Sequence, residues 1–92
     1  MKKLYGTIMI HKQIMDKQKG VDENINYYKL KNKMYGIEIV KENEEKEKLE
    51  IANLMNVTDS EEAINHILSL LIKKKIMPDE ADVIDDLVKQ YT

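Results

Sequence analysis

The sequence predicts an α+β domain: a small antiparallel sheet of three to four N-terminal strands, covered on one face by two C-terminal helices. Three observations predict it. Apolar residues alternate with polar ones through the first half of the chain, and they recur every three to four residues through the second. At 92 residues the chain suits one core, since two would need more length to bury their apolar surface. The expected unit is a single domain over residues 1–92, mainly strands over 1–57 and helices over 58–92.

From Leu4 to Met15, Leu4, Ile8, Ile10 and Ile14 share one parity while Tyr5, Thr7, His11 and Gln13 hold the other, the pattern of a half-buried strand. The stretch Asp16 to Asn24, polar and broken by Gly20, is expected to be a loop or hairpin connection. A second strand is expected from Ile25 to Lys31. Asn32 and Lys33 then make a two-residue hairpin turn into a third strand, from Met34 through Ile39. Glu42 to Lys48 is almost wholly charged and must face water, as a hairpin mouth or a short helix. In Leu49 to Met55, Leu49 and Ile51 share a strand face whereas Ile51, Leu54 and Met55 share a helix face; a strand is the reading taken.

The helical half is better marked. Thr58-Asp59-Ser60-Glu61-Glu62 offers a capping box, Thr58 with Glu61 or Asp59 with Glu62. Ile64, Ile67, Leu68, Leu71 and Ile72 then follow the spacing of an apolar helix face. Lys73, Lys74 and Lys75 suit its negative end, so the helix should stop near Lys75. Pro78 fits the first turn of the next helix. That helix carries Ala81, Ile84, Leu87, Val88 and Tyr91 on one face and Asp79, Asp82, Asp85 and Asp86 largely on the other. One echo runs through the strands: Lys3 to Ile10 resembles Lys33 to Val40, with Lys, Tyr and Gly in common. A glycine inside each strand points to a bulge, a close backbone approach, or a neighbouring tyrosine ring covering the gap.

Composition removes much chemistry. The absence of cysteine excludes disulfides, thiolate metal sites and cysteine nucleophiles. Ser60 and Ser69 sit in a cap and a helix rather than in a nucleophile elbow, and Gly6, Gly20 and Gly36 are isolated, so no glycine loop cradles a phosphate. His11 and His66 lie far apart on polar faces. The acids Asp79, Glu80, Asp82, Asp85 and Asp86 lack the glycine turn and distal glutamate of a calcium loop. No enzyme, cofactor or metal is expected.

All basic residues are lysine, which lacks the bidentate fork that reads guanine or grips phosphate. Isoleucine and asparagine are plentiful, a bias expected of an AT-rich, low-GC bacterial genome. Residues 1–41 carry a net +5 and residues 42–92 a net −7. A helix-turn-helix reading fails because the second helix is acidic and would be repelled by phosphates.

The segments YYKLKNKMYGIEIV, NVTDSEEAINHILSLL and KKKIMPDEADVIDDLV, taken together, resemble a family of short uncharacterised proteins from Firmicutes, especially clostridia. The likeness covers residues 25–90 and rests on Tyr35, Gly36, Ile37, Pro78, Val83, Asp85 and Asp86. It implies the strand-then-helix order and transfers no catalytic residue.

The expected function is a small cytoplasmic protein-binding or regulatory module without catalytic activity, whose partner is another protein or a second copy. With no apolar run long enough for a membrane helix and no signal-peptide pattern at its start, it is not expected at a membrane. The candidate interaction surface comprises Tyr27, Lys29 and Lys31 on the second strand, with Asp79, Asp82 and Asp86 on the last helix. The alternative is a weak single-stranded nucleic-acid binder using the lysine and tyrosine residues of the strand region.

Overall fold

Alternation in the first half resolves into four strands in a computed structural model, which describes residues 1–13 and 20–91. They are β1 (Lys2–Gln13), β2 (Gly20–Lys31), β3 (Tyr35–Glu42) and β4 (Lys48–Thr58). Each pairs antiparallel with its neighbour in sequence, giving the order β1-β2-β3-β4. Such a meander needs only hairpin connections. Two helices follow, α1 (Glu61–Lys73) and α2 (Ala81–Tyr91). The α+β arrangement read from the sequence is the one observed.

Several boundaries move. Residues 20–24, expected in a loop, belong to β2 and pair with β1, Asp22 opposite His11 and Asn24 opposite Met9. Their polarity misled because Asp22 and Asn24 lie on the face turned away from the helices, where Asp22 meets His11. Ile14, Met15 and the rest of the expected loop, Asp16 to Lys19, lie outside the described residues. The β2–β3 turn has three residues rather than two: Lys31 pairs with Tyr35, and the Asn32 N–H donates to the Met34 carbonyl at 3.1 Å. The charged stretch after β3 is a hairpin mouth. There the Asn43 side-chain oxygen accepts from the N–H groups of Glu45 and Glu47 at 3.0 and 2.9 Å.

Both glycines of the echo sit beside irregularities. The β1–β2 register slips between Leu4 and Gly6, leaving Tyr5 as the extra residue. A Cβ on Gly6 would lie 2.7 Å from the Ile72 side chain, so its bareness lets α1 close on β1. Opposite Gly36, β4 bulges over residues 55–57 with Asn56 at φ 56°, and a Cβ on Gly36 would meet the Leu54 carbonyl oxygen at 2.5 Å. The slip at Tyr5 overturns one sequence expectation. Leu4 does not share a face with Ile8 and Ile10, because an extra residue reverses the parity of everything before it.

The core lies between the sheet and the helices. Ile25, Tyr27, Ile37 and Ile39 meet Ile64, Ile67, Leu68 and Leu71 of α1 and Ile84 and Leu87 of α2, all buried. Helix α1 touches all four strands, and α2 packs chiefly against α1. The cap of α1 is Ser60, whose hydroxyl accepts from the Ala63 N–H at 3.1 Å. Neither expected capping box forms; Thr58 instead accepts from the Ser60 N–H. At the other end the Lys75 and Ile76 N–H groups donate to the Ile72 and Leu71 carbonyls at 3.0 Å each, with Lys75 at φ 54°. This is a Schellman stop built on lysine rather than glycine. Pro78 lies ahead of α2, not in its first turn: the Glu80 N–H donates to the Met77 carbonyl at 3.1 Å, which puts the proline at the second position of a β-turn, where its fixed φ is favoured.

Candidate protein-docking surface

Strand alternation divides every strand into an inner face toward the helices and an outer face. The register aligns the outer residues into rows across the sheet: Leu4, Tyr28, Glu38 and Asn53; then Thr7, Asn26, Val40 and Ile51; then Met9, Asn24 and Glu42, the last beside Lys48. Among the described residues no strand or helix packs over this face, although its centre is closed by its own side chains, with Val40 at 1% and Asn26 at 8% exposure. Its two edge strands carry apolar side chains in the open, with Leu4 at 51%, Met9 at 68%, Ile51 at 54% and Met55 at 53% exposure, and Leu49 beside them.

Several polar residues of the same face are already partnered. Glu38 accepts from the Lys2 ammonium at 2.9 Å and the Asn53 amide at 3.2 Å. Thr7 donates to the Asn26 side-chain oxygen at 2.8 Å. His11 meets Asp22 at 2.6 Å. The Lys2 ammonium also stands 4.4 Å from the Tyr28 ring centre, and its hydrogen bond to Glu38 raises its pKa above the ordinary lysine value. Covering such a face strips water from groups that keep their partners, which is far less costly than burying lone ones.

The residues singled out in the sequence scatter. Tyr27 is fully buried; its hydroxyl donates to the Ile76 carbonyl at 2.8 Å, and burial, with the nearby Glu80 carboxylate, pushes its pKa up to about 12. It therefore offers no ring to a ligand. Lys29 is likewise drawn into the sheet–helix junction, donating to Glu61 at 3.1 Å and Asn65 at 3.0 Å, because its place on β2 has the parity of Ile25 and Tyr27. Lys31 stays at the end of β2, its ammonium 4.1 Å from the Tyr35 ring centre. Asp79, Asp82 and Asp86 are exposed on and just before α2, on the opposite side of the sheet from the outer face. Among the described residues no three His, Asp or Glu side chains gather to hold a metal ion, and no helix is long and apolar enough to cross a membrane.

The outer apolar residues were missed, though a signal was present. In β4 both parities are apolar, Ala52 and Leu54 on one and Leu49, Ile51 and Met55 on the other. A strand with one dry and one wet face should alternate more cleanly.

The model of the Family of unknown function (DUF6514) matches residues 7–90. The chain belongs to this family. The match takes in β1 from Thr7 onward as well as the 25–90 span on which the sequence resemblance rested, and the outer apolar residues Met9, Leu49, Ile51 and Met55 fall within it while Leu4 does not. No curated protein and no solved structure matches the chain. Membership in the family carries no activity or partner to assign, so the reading of function rests on the surface itself.

Proposed function

We propose that this DUF6514 member is a non-catalytic docking module that binds protein through the outer face of its sheet, in the cytoplasm of a low-GC bacterium of the Firmicutes. The observation that carries the reading is the bare apolar pair of edge strands, Leu4 and Met9 on one side and Leu49, Ile51 and Met55 on the other. Apolar side chains gathered on one face of a small soluble domain mark an interaction site more often than isolated ones do. The pre-paired polar residues between them fit the polar content of such interfaces. The acidic side of α2 is a second surface of the same module, suited to setting the orientation of a basic partner.

The nucleic-acid reading is the weaker one at the residue level: of Tyr27, Tyr28, Lys29, Lys31 and Lys33, on which it rests, Tyr27 and Lys29 are buried while Tyr28, Lys31 and Lys33 stay at or near the surface. Capture on the immobilised full chain from a bacterial lysate, followed by mass spectrometry, tests the docking reading. A partner retained by the wild type, retained by Asp82→Ala, and lost with Ile51→Lys is the expected result. Retention untouched by Ile51→Lys, or no partner together with a strictly monomeric mass, overturns it. Oligonucleotides titrated at low salt should show no binding.

A further inference from the structure

We infer that the occupant of the outer sheet face is a second copy of this chain, packed sheet to sheet about a two-fold axis that runs parallel to the strands. The inference rests on the docking reading and specifies its partner. The outer face is self-complementary in a way that selects this axis. A rotation about a line parallel to the strands, midway between β2 and β3, lays β1 of one copy over β4 of the other and leaves each row at its own level. Leu4 sits in the row of Asn53, and therefore drops between the second copy's Ile51 and Met55, one row to either side. Met9, in the row of Lys48, falls beside the second copy's Leu49. The apolar side chains of the two edges thus interleave rather than collide.

The centre of the face fits the same operation. Tyr28 and Glu38 are neighbours in one row, so the axis brings the Tyr28 hydroxyl over the second copy's Glu38 and the reverse. A phenol donor then stands over a carboxylate twice in the interface. Glu38 keeps the ammonium of Lys2 and the amide of Asn53 from its own chain, so its charge is not enclosed bare. An axis perpendicular to the strands would instead stack β1 on β1 and β4 on β4.

Size permits it. With strands about 4.8 Å apart and a rise of about 3.3 Å per residue, the face from Lys2 to His11 measures roughly 20 by 30 Å, or about 600 Å² in plane. Allowing for the relief of its side chains, that approaches the roughly 800 Å² per partner of a standard stable interface. Aligned packing of two antiparallel sheets about 10 Å apart is an ordinary architecture.

The test uses the full chain in solution. Light scattering is expected to give twice the 10.8 kDa chain mass at about 100 μM, a concentration at which a micromolar dimer is nearly full. Ile51→Lys should return a single chain's mass with an unchanged circular-dichroism spectrum, as should Leu4→Lys. Because the protein contains no cysteine, single thiols report the axis. A mixture of Leu4→Cys and Ile51→Cys chains should be joined by a short bismaleimide, and either variant alone should not. Leu4→Cys joined to itself overturns the proposed axis. A monomeric wild type at millimolar concentration overturns self-pairing, and in that case the docking reading stands or falls separately on whether Ile51→Lys abolishes capture of another protein.

Discussion

Two glycines that look alike in sequence do different work, and the difference is measurable. At Gly36 an added methyl group would run into the Leu54 carbonyl oxygen, part of a backbone already bulged. At Gly6 it would meet only the end of the Ile72 side chain, which has other rotamers available. Gly36→Ala is therefore expected to lose about 2 kcal/mol or more in urea unfolding, in the range of overpacking, and Gly6→Ala about 1 kcal/mol or less. Tyr27 gives a second expectation. Its folded pKa stands near 12, above the value of about 10 for an unfolded tyrosine. The folded state thus holds its proton where the unfolded state releases it, and stability should fall as pH rises from about 10 to 12. Unfolding followed across that range should show the loss, and Tyr27→Phe should flatten this part of the profile. The same variant leaves the buried Ile76 carbonyl without its phenol donor, which costs about 1 to 3 kcal/mol at neutral pH.

At the scale of elements, the apolar faces of the helices decide the fold and their charged faces do not. Ile67, Leu71, Ile84 and Leu87 are buried in one core, so truncating any of them to alanine should cost about 2 to 5 kcal/mol. Asp82→Ala or Asp86→Ala, on exposed helix surface, should change stability by about 0.5 kcal/mol or less. Chemical denaturation of the six variants reads the contrast. The helices were legible because a 3.6-residue period with caps is a strong signal, and even the displacement of the cap to Ser60 is a shift within the predicted segment. The strands were legible in kind and not in parity. Periodicity assumes an unbroken strand, and the extra residue at Tyr5 turns Leu4 outward without leaving any mark but the glycine after it. Lys29 misled for a related reason: a lysine reads as solvent-facing, yet its long apolar stem reaches from an inner strand position to Glu61 and Asn65 on α1, as such side chains do when the head finds a polar rim.

For the whole molecule, layer order was readable from composition while the surface was not. Two amphipathic helices and a run of half-apolar strands admit few solutions other than helices on one sheet face. The candidate site escaped because it depends on which outer residues become neighbours, and that follows from three registers and the three places where they slip, at Tyr5, at Leu49 and over residues 55–57. The meander has a further consequence, in time rather than in space. Each strand joins its sequence neighbour, so the ladder can assemble from short hairpin closures as the chain leaves the ribosome, while Ile64 to Leu87 are still to be made. Until α1 arrives, Ile25, Tyr27, Ile37 and Ile39 have no cover, and the nascent sheet is apolar on both sides at once. The helices are made after the sheet they protect, and the cell must carry this chain through an interval in which its most sheet-like form is also its least shielded one.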